Sequence, residues 1–258
     1  MGLHREGHGV RQVRWLAAAL LVWAAPLAAQ PVVGAKAGLI SFGLGKVYLD
    51  NQAVEISAAR FAEWKQNAVL RTEGGRAEVL LGPCAVLRVD EDSSLKMLDT
   101  DLVHPAVGLV DGAAVVDIAG IRKGGAIAVR LGAAQVTMAR IGTYRFDFAP
   151  LEVKVFAGRA DVERDGKTLT IGAGRMLAFD AKAPEKFDIR AGDGLDLWNR
   201  ERAAVAAKAR GRGEPSMIDL AWQRDTSLPD ASQARGPNTM PPPGVRRRPA
   251  PPDAGCRL

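Results

Sequence analysis

Apolar and polar residues alternate with a period of two along much of the chain. Tyr144, Phe146 and Phe148 fall on one side, with Arg145 and Asp147 on the other. Leu151, Val153 and Val155 alternate with Glu152 and Lys154, and Ile127, Val129 and Leu131, then Val136 and Met138, repeat the pattern. Such alternation predicts strands with one face in a core and one in solvent, because a slip of one residue would exchange the two. Turn dipeptides separate them: Asp111-Gly112, Gly124-Gly125 and Asp165-Gly166. The last predicts a hairpin joining Val162–Arg164 to Thr168–Ile171 through a glycine of positive φ. Gly172 and Gly174 precede a further short strand, Met176–Phe179. A helix is predicted from Leu195 to about Arg210, with Asp193 as its cap, Gly211 as its stop, and Leu195, Trp198, Val205 and Ala209 near one stripe. Its expected place is across one end or edge of the β-body, covering an open strand edge. Phe61 to Leu70 reads as a shorter helical or irregular element.

A short phrase recurs among these strands. Gly-Arg-Ala-Asp-Val at Gly158–Val162 returns as Gly-Arg-Ala-Glu-Val at Gly75–Val79, with looser copies at Gly45–Leu49 and Gly112–Val116. Each copy reads as a glycine-led turn feeding a half-buried strand, and four uneven copies predict stacked, similar units. The expected fold class is all-β, with a twisted β-solenoid-like or sandwich-like body of stacked short strands, one C-terminal helix and a disordered tail. Gly45, Gly75, Gly112, Gly158 and Gly166 are the candidate structural turn positions, where a side chain is costly.

The chain ends set the boundaries. Arg5, Arg11 and Arg14 precede an uncharged apolar run, Trp15 to Leu27, followed by Ala28 and Ala29. A basic head, a short apolar run and a small-residue exit describe a secretory signal peptide, with cleavage expected between Ala29 and Gln30. An uncleaved N-terminal anchor is the alternative. From about Gly211 the periodicity stops, and Pro241–Pro243, Arg246, Arg247, Arg248 and Pro249–Pro252 replace it. Proline and arginine in that density predict a disordered tail, with Trp222 and the three arginines as candidate interaction residues. The expected organisation is a signal peptide over 1–29, a β domain over 30–190, a capping helix over 191–211 and the tail over 212–258.

The net charge is +6, and part of that excess lies in the two terminal segments. Within the body, basic residues alternate with acidic ones, which reads as a solvated strand face rather than a nucleic-acid surface. Contact of the basic tail with anionic lipid or envelope polymer is the better expectation for an exported chain. No cofactor is expected.

Little in the residues points to catalysis. His104 is the single imidazole beyond the signal segment and reads as a surface or turn residue. Asp90, Glu91 and Asp92 lack the alternate spacing and sixth-position glycine of a calcium loop and read as a solvated turn. Cys84 reads as a small, inert turn or core residue and Cys256 as an exposed free thiol. A bridge pinning the tail back is the alternative, since exported compartments permit it. A polysaccharide hydrolase would have to draw its acids from Glu78 or from Asp90–Asp101.

The order of motifs resembles a FecR-type domain. Gly45–Leu49, Val69–Thr72 and Gly75–Leu81 are similar to the front half of that family, and Leu87–Val89 with Ser93–Leu95 to the element that follows. Val107–Gly112, Gly142–Phe146 and Val155–Gly158 resemble its back half, and Leu169–Gly174 its closing glycine-rich turn and strand. The resemblance runs from about Ala37 to Phe179 and implies an all-β periplasmic domain of transmembrane signalling. The family's regulators carry a cytoplasmic anti-sigma region ahead of a membrane span, whereas fourteen residues precede the apolar run here. The expectation is therefore a stand-alone exported FecR-like interaction module, periplasmic or secreted, binding an envelope protein or polymer without catalysis. The sensor half of a system controlling an extracytoplasmic sigma factor is the alternative.

Overall fold

The computed structural model describes residues 35–56 and 61–211. The expected signal segment with its cleavage position, and the C-terminal residues with Trp222, Arg246, Arg247, Arg248 and Cys256, lie outside the described residues.

Among the described residues sixteen strands and one helix follow one another. They are β1 (Leu39–Leu49), β2 (Gln52–Ala53), β3 (Ala62–Glu63), β4 (Val69–Gly82), β5 (Ala85–Val89), β6 (Ser94–Asp99), β7 (Ala106–Asp111) and β8 (Ala113–Ile118). After them come β9 (Ile127–Leu131), β10 (Ala134–Met138), β11 (Gly142–Asp147), β12 (Glu152–Ala157), β13 (Arg159–Arg164) and β14 (Lys167–Gly172). The chain then forms β15 (Arg175–Ala178), β16 (Glu185–Lys186) and α1 (Gly194–Gly211). The fold is all-β with one C-terminal helix. Phe61–Leu70 is not helical, since it holds β3 and the start of β4.

All strands join one sheet with the path β14-β13-β10-β9-β7-β6-β4-β5-β8-β11-β12-β15-β16, and β1 lies along β4. Neighbours are antiparallel except β7 and β9, which run parallel. The path curls on itself, so that Val129, Val136 and Val162 from one arm share a core cluster with Leu87, Val116 and Phe146 from the other. Arg164 of β13 donates to the Phe179 carbonyl just beyond β15, which ties the two ends of the path together. Apolar burial on this scale is the main stabilising term, at about 25 cal/mol per Å².

β4 makes the bend. Its first residues, Val69–Arg71, pair with β6, and Ala77–Gly82 pair with β5. Gly74 and Gly75 lie between these two sets. A Cβ on Gly75 would run into the Leu44 carbonyl and lie 2.8 Å from the Gly45 Cα, so β1 and β4 meet backbone to backbone there. β1 carries a register shift between Leu44 and Lys46 opposite this point, the irregularity a sharply bent strand pair needs. Gly112 stands between β7 and β8, and Gly158 between β12 and β13. All four copies of the glycine-led phrase thus sit where the chain crosses from one arm to the other. The Asp165-Gly166 hairpin joins β13 to β14, both turn residues having positive φ (52° and 68°).

Cys84 follows β4 and is disulfide-bonded, which corrects the reading of an inert thiol. A buried small residue and a bridged one leave the same trace in a strand-entry pattern. The chain's other cysteine is Cys256.

Candidate functional site

The two faces of the central strands differ sharply. Val79, Leu87, Val116, Tyr144, Phe146 and Val153 face the core. The intervening positions carry Glu78, Arg88, Arg145, Asp147 and Glu152, which are also buried. Pairing registers align Glu78 with Arg88, Arg88 and Arg145 with Val115, and Arg145 with Lys154, so one cross-strand row carries an acid at one end and three cations beyond it, interrupted by Val115. The expectation of a solvated face fails for this row because α1 lies on it. The helix covers a sheet face rather than an open edge: Leu195 and Trp198 pack on Val115, with Phe42 and Ala113 alongside. Val205, expected near the buried stripe, is 60% exposed.

The start of α1 is built for this docking. Asp193 Oδ1 accepts the backbone N–H groups of Leu195 (3.0 Å) and Asp196 (3.2 Å), while the Asp193 N–H donates to Asp196 Oδ2 (3.3 Å). This reciprocal cap satisfies amides that a helix start leaves open. Arg145 then donates from Nη2 to Asp193 Oδ2 at 2.6 Å, from Nη1 to Asp196 Oδ2 at 2.8 Å, and from Nε to Asp147 at 3.0 Å. A second knot lies further along the helix. Arg88 donates to Glu78 (3.0 Å) and to the Asn199 side-chain oxygen (2.6 Å), and Arg202 donates to Glu78 at 3.0 Å.

Electrostatics follow from these contacts. Burial opposes the charge on Arg145, but hydrogen bonds to Asp193 and Asp147 outweigh it and raise the pKa. The hydrogen bond from Arg145 lowers Asp193 to about 2 against opposing burial. Burial raises Asp196, a shift that Arg145 only partly offsets. Burial would also raise Glu78, yet Arg202 and Arg88 together bring it below the usual range. Charges paired this completely hold a helix in one register.

A groove of about 390 Å³ runs beside α1, with Phe156, Ile189, Asp117, Arg200 and Ala203 among its lining. Ile189 is 48% exposed, and Phe156 meets Phe187 edge-on at 5.0 Å. This arrangement suits a partner that brings both apolar and polar groups.

The hydrolase acids fall elsewhere in character. Glu78 is locked under α1, Asp90 is paired with Arg76 at 2.8 Å, and Asp99 and Asp101 lie in and after β6. His104 is exposed, with Nε2 3.1 Å from the Gly124 carbonyl. Among the described residues no group of three or more His, Cys, Asp or Glu is gathered to hold a metal. Gly45, Gly112 and Gly158 have positive φ and tight surroundings, whereas Gly166 faces open space.

No family model and no curated protein matches the chain. Two crystal structures from Parabacteroides distasonis ATCC 8503, each provisionally assigned as an anti-sigma factor, are similar to part of it. One, at 2.50 Å resolution, is 13% identical with a TM-score of 0.40 and covers 47% of this chain and 61% of that one. The other, at 1.65 Å, is 12% identical with a TM-score of 0.39 and covers 46% and 59%. This chain therefore spans about three fifths of their length.

Asn199, Asp196 and Arg202 were not singled out from the sequence as site residues. The available signal was the unusual load of charge on the predicted helix beside a Leu195–Trp198 apolar pair, opposite strands whose polar positions alternate in sign.

Proposed function

We propose that the chain is an exported FecR-like interaction module that binds an envelope protein in the groove beside α1, without chemistry of its own. The supporting observation is the groove itself. Phe156 and the half-exposed Ile189 supply apolar lining beside Asp117 and Arg200, which are of opposite charge. A mixed lining is the composition of a protein-binding patch rather than of a closed small-molecule cavity. The paired charges beneath α1 keep the helix side of the groove rigid, which lowers the ordering cost of binding. The export segment and the resemblance of residues 37–179 to FecR-type domains set the expected compartment.

A photo-crosslinking residue at Ala203, with one at the exposed Glu163 of β13 as control, tests this in the native envelope. Reproducible capture of one protein from Ala203 alone is expected. Capture from neither position, or from both equally, would remove the groove as the binding site. Recovery of a membrane anti-sigma protein would turn the module into the sensor half of a split regulator.

A further inference from the structure

At one end of the sheet stands a group of positive charges that make no ion pair among the described residues. The β8–β9 loop carries Arg122 and Lys123, the β10–β11 turn carries Arg140, and the β12–β13 corner carries Arg159. A cleft of about 580 Å³ has Ile121, Arg140, Ile141 and Arg159 in its lining. An adjoining one of about 410 Å³ shares Ile121, Arg140 and Arg159 and adds Arg122 and Lys123, so the two are continuous. All four cations are exposed, and among the described residues none of them makes an ion pair. The carboxylate in the lining, Asp161, is engaged by the Thr170 hydroxyl at 2.6 Å. Asp101 lies close enough to Arg122 to feel its charge. Ile141, between Arg140 and the corner, is 62% exposed.

The two arginine-bearing turns are held together from below. The hydroxyl of the fully buried Tyr144 donates to the Arg140 carbonyl (2.9 Å) and accepts the Arg159 N–H (3.2 Å). A Cβ on Gly158 would overlap that hydroxyl and lie 2.7 Å from the Ile141 carbonyl. Glycine is therefore what lets the two turns close on the tyrosine. Arg140 and Arg159 leave adjacent backbone positions fixed by a core side chain.

Unpaired cations around an exposed isoleucine match a surface with anionic charge outside and hydrocarbon beneath. We propose that this end of the folded body docks on an anionic phospholipid surface, with Ile141 entering the acyl boundary and Arg122, Lys123, Arg140 and Arg159 contacting headgroup phosphates. The site is distinct from the groove beside α1.

The test incubates the full chain with phosphatidylglycerol vesicles and with phosphatidylcholine vesicles. The apolar N-terminal run meets the same acyl chains in both, so the difference between them reports charge. Stronger binding to the anionic vesicles is expected, weakening as salt screens it. New amide protection should appear at residues 121–125, 139–141 and 158–159. Combined Arg140→Glu and Arg159→Glu substitution is expected to weaken that binding at least tenfold, and Ile141→Ser about threefold, with unfolding unchanged. Tyr144→Phe, which keeps the ring in the core, is expected to give a smaller loss. Equal binding to both vesicles, an unchanged affinity in the double variant, or loss only on Arg246→Ala, Arg247→Ala and Arg248→Ala substitution would overturn the proposal. Displacement by millimolar glycerol phosphate with equal affinity for the free anion would instead make this a soluble-anion site and overturn the membrane assignment.

Discussion

Arg76 and Arg159 follow the glycine of the same five-residue phrase and have opposite fates. Arg76 bonds Asp90 at 2.8 Å and Glu91 at 3.3 Å and lies over the Trp198 ring at 5.7 Å. Arg159 stands exposed among other cations. Both corners carry the chain between the arms of the sheet, so the backbone device is shared and the side chain is assigned separately. At the first corner the β5–β6 turn supplies acids and α1 supplies an indole. At the second corner nothing comparable crosses among the described residues. A repeated motif therefore encodes a bend, and what its arginine does depends on which loop passes over it.

Several substitutions separate those two roles. Gly158→Val combines a left-handed backbone (φ 90°) with a collision at Ile141, and is expected to cost about 3 kcal/mol or more in urea unfolding. An unchanged midpoint would mean the corner tolerates a side chain. Arg88→Ala removes one guanidinium from the charge knot under α1. It is expected to cost about 3 kcal/mol, the low end for breaking a buried pair, since Arg202 still holds Glu78. Arg76→Ala should cost about 1 kcal/mol, as its pairs are partly screened, whereas Arg159→Ala should stay within about 0.5 kcal/mol. Equal costs for the two arginines would abolish the contrast between the corners.

Acid should act on the paired end. Asp193 is lowered to about 2 from an ordinary 3.8, so its contribution is complete above the ordinary value and is lost as pH falls through about 2. Glu78, also lowered, acts in the same direction, while the raised Asp196 opposes them by taking up its proton earlier. Hydrogen-exchange protection of residues 195–203 is expected to hold from neutral pH to about 4 and to fall between there and 2. Loss of protection already at pH 6 would contradict this account.

The smallest effect concerns linkage. The Cys84 carbonyl accepts the Ala119 and Gly120 N–H groups at the base of the Arg122–Lys123 loop. Non-reducing peptide mapping is expected to recover Cys84 joined to Cys256, which would tether the chain's end beside the open cations. Two unlinked peptides would refute that tie.

What could be read in advance divides along physical lines. Alternation placed Tyr144 and Phe146 inward because core burial acts on every second residue. Asp165-Gly166 and Asp193 announced a hairpin and a cap because both are local chemistry. The same alternation put Arg145 outside the core and was read as a solvated face, because a local pattern cannot tell water from a second layer such as α1. Arg88 and Asn199 bond across 111 residues, a separation at which no local pattern operates. The glycine phrase announced turns, but the crossing between arms depends on pairing partners far along the chain. The open cations were visible as residues, and only the topology gathers them.

The shared strand β4 has a consequence for how the protein comes apart. Because one continuous segment is hydrogen-bonded to β6 in one arm and to β5 in the other, neither arm can fray past it without breaking the other's ladder. The arms lack the independence of two domains, so heating should give a single sharp transition, with α1 able to peel away beforehand.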